Sequence, residues 1–170
     1  AFCLYDLLEK KIYLARDRAG EKPLYYGVSK NILFFASELK AFNNINDIDK
    51  KINLRALKLF FTNSCVPAPY SIYDNIWKLM PGHYLMIDLT RKNPCDTKNI
   101  EIIKYWEYKL CGSNIEDLSS NLASLDKILN EVISQQMISD VTLGAFLSGG
   151  VDSSLITAIM QRHSATPIKT

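Results

Sequence analysis

The chemistry-bearing residues of this chain of 170 residues concentrate in one stretch, Gly144-Ala-Phe-Leu-Ser-Gly-Gly-Val-Asp-Ser-Ser154. Three of the chain's seven glycines fall within it. Gly149 and Gly150 let the backbone turn sharply and approach a ligand with no Cβ in the way, so that successive N–H groups can converge on one anion. Ser148, Ser153 and Ser154 add hydroxyl donors. Leu143 to Leu147 predicts a short buried strand, Ser148 to Asp152 a tight turn, and Ser153 to His163 a helix whose positive end faces the turn. Strand, glycine turn and helix start together make a phosphate cradle.

What the cradle lacks narrows its type. Gly144 and Gly149 have the spacing of a GxxxxGK[ST] loop, but Gly150 and Val151 stand where its lysine and hydroxyl residue belong. The GxGxxG dinucleotide fingerprint is absent too. Without a lysine, the positive charge comes from the helix, a metal or a distant residue. Asp152 suits a metal, because a carboxylate beside a phosphate repels it unless a divalent cation lies between.

The elements that must position this loop read as follows. Residues 115–138 carry apolar side chains at steps of three and four, an amphipathic helix of about six turns with a packed stripe. Pro167 to Thr170 starts a strand. Before residue 90 the chain is β-rich: Ala1 to Leu7 and Lys11 to Ala15 form a hairpin across Glu9-Lys10-Lys11, Leu24 to Tyr26 and Ile32 to Ala36 form strands, and Gly82 to Leu89 forms another. Ser37 is placed to cap a short helix through Phe42, and Asn53 to start a helix carrying Leu54, Leu57 and Phe60/Phe61 on one side. Val66-Pro-Ala-Pro69 enforces an extended segment. Residues 90–99 have surface-linker composition, and Ile102 to Trp106 forms a last strand.

Composition bounds the function classes. With 48% hydrophobic and 22% charged residues the chain is globular rather than disordered. A net charge of +2, from 20 Lys+Arg against 18 Asp+Glu, argues against nucleic acid as a partner. No run of about 18 apolar residues offers a membrane span. The first residues lack a signal peptide's basic flank and apolar core, and a first residue of Ala1 reads as the middle of a longer protein. Cys3, Cys65, Cys95 and Cys111 lie far apart, as free thiols of a cytoplasmic protein, with Cys3 packed in its strand.

Several other residues attract a plainer reading. Arg16, Asp17, Arg18 and Lys22 form a charged turn with Arg16–Asp17 pairing or hairpin bracing. His83 starts a strand, His163 ends a helix, and Tyr25, Tyr26, Phe34, Phe35, Phe60 and Phe61 belong to the core.

SGGVDSS resembles the pyrophosphate loop of the PP-loop ATP pyrophosphatases. The ordered segments ARDRAGEKPLYYG, FFASELKAF, VPAP, MPGHYL and ISQQMISDVTLGAFLSGGVDSS resemble the glutamine-hydrolysing asparagine synthetases over almost the whole chain. The resemblance implies an α+β class II glutaminase portion of Ntn-hydrolase (αββα) type over residues 1–95, a linker over 96–114, and the start of an α/β doubly wound synthetase domain over 115–170. It implies an ATP-dependent carbon–nitrogen ligase with glutamine, aspartate and ATP as substrates, passing ammonia through an internal tunnel, and a homodimer. Ser148, Gly149, Gly150, Asp152, Ser153 and Ser154 match the pyrophosphate loop, Asp152 as the Mg2+ carboxylate. Phe146 and Leu147 match the backbone that meets the adenine. The glutaminase nucleophile, an N-terminal cysteine, would precede Ala1, so no catalytic residue falls within this chain. Relatives acting on another carboxylate, such as a sugar acid or peptide, or a non-catalytic scaffold of the same build, are the alternatives.

Overall fold

The structure is a computed structural model and describes residues 1–110 and 117–170. The chain forms two compact units, Ala1–Leu110 and Cys111–Thr170.

In the first unit, alternating side chains build two antiparallel sheets. Strands β1 (Phe2–Asp6), β2 (Lys11–Ala15), β6 (His83–Asp88) and β7 (Ile100–Lys104) form one sheet in the order β1-β2-β6-β7. Strands β3 (Tyr25–Ser29), β4 (Ile32–Ala36) and β5 (Ile76–Lys78) form the other, in the order β4-β3-β5. Register puts Leu14 opposite Leu85 and Ile12 opposite Ile87, so one face of the first sheet is apolar. That face meets Leu24, Tyr26 and Leu79 in a common core. Burial pushes the Tyr26 phenol up to about 12. A second cluster, Phe42, Ile48 and Ile76, packs Phe34 edge-on against Phe42 at 5.0 Å.

The β1–β2 turn is held by Asp6, whose carboxylate accepts the N–H groups of Leu8 and Glu9 at 2.9 Å each. Helix α1 (Leu54–Asn63) starts where Asn53 accepts from the Ala56 N–H at 3.0 Å, the expected N-cap. Strand β7 lies inside the stretch expected as a linker and is hydrogen-bonded to β6.

Several expectations are corrected. The segment Leu39–Phe42 is a 3-10 helix preceded by Glu38 in extended backbone, with no side-chain cap; Ser37 does not serve. Cys3 is exposed, because β1 is an edge strand with both faces largely open; what burial its thiol has pushes its pKa upward. Phe35 is exposed on β4, an edge strand of its sheet, and Phe60 and Phe61 are exposed because the interior face of α1 reduces to Ala56. Arg16 does not pair with Asp17. Its buried guanidinium donates to three backbone carbonyls, while the Asp17 carboxylate accepts from the N–H groups of Glu21 (2.8 Å) and Lys22 (3.1 Å).

The second unit packs α2 (Leu118–Gln136) against α3 (Val151–Arg162). Ile133 meets Ile159 and Met160, with Leu129 and Met137 beside them. Arg162 reaches Asp126, and the His163 ring lies 2.9 Å from Asn130 Oδ1. The expected helix start at Ile115 lies outside the described residues. Its stripe is only partly packed: Leu118, Leu122, Leu125, Ile128 and Val132 are exposed. A helix of 19 residues runs about 28 Å at 1.5 Å per residue, and α3 with 12 residues cannot cover it. Leu143 to Leu147 is no buried strand either. Only Gly144 makes a parallel bridge, to Lys169, and a single short neighbour cannot enclose both faces.

No helix among the described residues is long and apolar enough to cross a membrane.

Slight burial works to raise the Asp17 pKa, but the N–H donors of Glu21, Lys22 and Gly20 outweigh it and hold the carboxyl below its ordinary value. A folded-state value below the unfolded one stabilises fully above the unfolded value, and the gain fades as pH falls through the folded one. Asp17→Asn should therefore destabilise at about pH 7 and converge on the parent as pH falls below the ordinary carboxylate range, in urea melts. A difference unchanged across that range would refute the carboxylate's role.

Candidate functional site

The glycine-serine turn gets its shape from two backbone choices. Gly149 has φ +82°, a left-handed conformation that side-chain-bearing residues rarely adopt. Gly150 then takes extended backbone, φ −76° and ψ 161°, as the residue before α3, and no side chain caps that helix. The first N–H groups of an α-helix have no partner within it, so this end presents donors to a ligand.

The hydroxyls gather beside those donors. Ser148 Oγ and Ser153 Oγ lie 3.0 Å apart, Ser153 Oγ donates to the Gly150 carbonyl at 3.1 Å, and the Gly150 N–H reaches Ser148 Oγ at 3.5 Å. Ser154 N–H closes the first helical bond, to Gly150 O at 3.1 Å. Space above the glycines is free: a Cβ on Gly149 would meet nothing within 4 Å, and one on Gly150 would sit 3.5 Å from Ser148 Oγ. The turn is open above Gly149.

Ser148, Gly150 and Ser153 are thus one hydrogen-bonded group, with Gly149 in the turn between them. Asp152 makes none of these bonds and stands exposed in the first turn of α3, where the helix end favours a negative charge. Among the described residues no group of three or more His, Cys, Asp or Glu could hold a metal ion. Asp152 is the one carboxylate beside the hydroxyls, so a Mg2+ ion held there would have to take the rest of its shell from phosphate oxygens and water.

Phe146 and Leu147 lie outside the hydrogen-bonded group, and Phe146 is fully exposed. Beside them is a hollow of about 350 Å³, lined by Gly144, Ala145, Phe146, Lys169 and Thr170. Lys169, absent from the sequence-derived set, forms part of its wall, and its carbonyl accepts from Ala145 N–H at 2.8 Å. The start of a strand at Pro167 to Thr170 is the sequence signal for it. A larger apolar hollow of about 540 Å³ lies on the first unit, lined by Phe2, Leu4, Tyr13, Tyr84 and Tyr105 among others. The charged groups at its margin, Arg16 and Asp17, are already engaged with backbone.

The sequence profile of the glutamine amidotransferase domain matches residues 1–106. The chain belongs to that family. The asparagine synthase profile matches residues 124–170, so an α+β amidotransferase domain is followed by the start of an asparagine synthase domain. A putative glutamine-hydrolysing asparagine synthetase 2 of Methanocaldococcus jannaschii is 39% identical over 167 residues, covering 96% of this chain and 31% of the relative. Asparagine synthetase 3 of Bacillus subtilis is 29% identical over 164 residues, covering 96% of this chain and 25% of the relative. Amidase chry2 of Gibberella zeae is 29% identical over 163 residues, covering 94% and 23%. The chain spans less than a third of the length of these relatives.

At Gly149 the strain of a side chain would be conformational alone, since nothing crowds its Cβ. Gly149→Ala should cost about 1–2 kcal/mol in chemical denaturation. A neutral or stabilising result would mean that the turn is not left-handed.

Proposed function

We propose that this chain is an internal segment of an ATP-dependent, glutamine-hydrolysing asparagine synthetase. The carrying observation is the uncapped, glycine-shaped start of α3, set behind an amidotransferase domain in one chain. In this reading the first unit belongs to an Ntn-hydrolase-type sandwich whose nucleophilic cysteine lies outside the chain. The junction between domains falls within residues 96–114, after β7. Exposed Cys3 and Cys65 and half-buried Cys95, all free thiols, suit a cytoplasmic enzyme.

The proposed chemistry has two steps. The aspartate side-chain carboxylate attacks the α-phosphorus of ATP and displaces pyrophosphate, giving β-aspartyl-AMP. Ammonia released from glutamine then attacks the acyl carbon and displaces AMP, leaving asparagine. Gly149, Gly150 and the first N–H groups of α3 receive the departing pyrophosphate, and the hydroxyls of Ser148, Ser153 and Ser154 orient it. Such a loop acts by position and electrostatics, with donors set before charge develops on the leaving group. Asp152 would hold Mg2+, which supplies countercharge to the phosphates. The backbone at Phe146 and Leu147, beside the hollow walled by Lys169, receives the adenine.

In the full-length enzyme, Asp152→Asn should lower aspartate-dependent pyrophosphate release by about 100-fold or more while leaving glutamine hydrolysis near the parent rate. Undiminished synthesis by that variant would overturn the assignment. A second reading is amidation of a different carboxylate on the same loop, since one similar protein carries a name other than asparagine synthetase. Assaying aspartate against sugar acids and peptide carboxylates separates the two. Turnover with aspartate alone supports the first reading, and turnover without it supports the second.

A further inference from the structure

The first unit contains a buried cation whose partners are all backbone. Arg16 is 8% exposed. Its Nε donates to Lys22 O at 3.0 Å, Nη1 to Leu79 O at 2.6 Å and Nη2 to Gly20 O at 2.8 Å. Burying a guanidinium is costly unless its donors are answered, and a planar fork answered by three carbonyls holds them in one arrangement. Gly20 allows the closure: it has φ +73°, and a Cβ there would lie 2.8 Å from Pro81 Cγ and 3.0 Å from Arg16 Nη2.

The main chain of the same turn reaches further. Arg16 N–H donates to His83 O at 3.1 Å, and Gly82 N–H donates to Asp17 O at 3.0 Å. Gly82 O in turn accepts both Tyr105 N–H (2.9 Å) and Trp106 N–H (3.1 Å). The Tyr105 hydroxyl returns to Arg16, donating to its carbonyl at 2.7 Å. A Cβ on Gly82 would lie 2.5 Å from Trp106 O, so no larger residue fits between these strands of contact. Three segments far apart in sequence, 16–22, 79–83 and 105–106, are tied at one place. The third of them follows β7, and residues 105–106 are where the chain runs out of the sheet toward residue 110.

The geometry points to Arg16 as a positioning residue that fixes the point at which the chain leaves the amidotransferase unit, so that ammonia released in one domain is used in the next. This rests on the function proposed above. Arg16 acts through the turn it closes, by way of Gly82 and Tyr105.

Tyr105→Phe tests it gently, since it keeps the ring against Tyr84 and deletes only the hydroxyl that returns to Arg16. Arg16→Lys, which keeps the charge but loses the planar fork, is the stronger variant. In amide hydrogen exchange on the full-length enzyme, Tyr105→Phe should speed exchange of the Tyr105 and Trp106 N–H groups about fivefold, the effect of one typical net hydrogen bond, with β3 amides unchanged. In the full-length enzyme it should also raise glutamate released per amide product, while the KM for ammonia stays at the parent value. Unchanged exchange, or an equal rise in β3, would overturn the anchor. Faster local exchange with an unchanged glutamate ratio would overturn its part in coupling. A parent enzyme that amidates nothing would refute the proposed function while leaving the exchange result to judge the anchor.

Discussion

A guanidinium removed from water has to have its N–H groups answered, and in this chain the answers come from the carbonyls of Lys22, Gly20 and Leu79. That requirement shapes the first unit more than any single apolar contact. It bends the loop after β2 back on itself, brings the turn before β6 against it, and through Gly82 draws in the residues after β7. The apolar core of Leu14, Leu85, Ile87, Tyr26 and Leu79 supplies non-directional cohesion between the sheets. The buried arginine supplies direction, because three carbonyls can meet one planar fork in few ways.

The second unit runs on the opposite principle. There the first turn of α3 keeps its donors unanswered: Gly150 has no side chain to cap it, and Ser148 and Ser153 bond to each other and to the loop rather than to the helix start. An open helix end is tolerable at a surface, where water can serve it, and useful where an anion has to bind. Asp152 fits the same logic. Its carboxylate gains from the helix end, and becomes compatible with phosphate once a divalent cation lies between them.

Local rules read from the residues held wherever one turn or one strand pair decides the outcome. Asn53 caps α1, and the Glu9–Lys11 hairpin, the Ile32–Ala36 strand and the α3 helix all form close to where the pattern put them. They failed where the outcome depends on what else is nearby. Cys3 alternates like a packed residue but stands exposed on an edge strand. Phe60 and Phe61 are apolar at helical spacing, yet the face of α1 that packs is the one carrying Ala56. The α2 stripe is real, but α3 is too short to cover it.

The residues alone determined the chemistry of the loop. The glycines, the serines, the single carboxylate and the missing lysine fix which groups the loop can offer: backbone N–H donors, hydroxyls and one carboxylate. Those properties belong to residue types and their spacing. The tertiary structure decided which polar groups are already spent. In the sequence Arg16 and Asp17 read as a charged turn, with either an ion pair between them or bracing of the hairpin. Once folded, Arg16 is buried on the carbonyls of Gly20, Lys22 and Leu79, and Asp17 is taken by the nearby N–H groups of Glu21 and Lys22; of these partners Leu79 lies 63 residues on, too far along the chain for any local pattern to reveal.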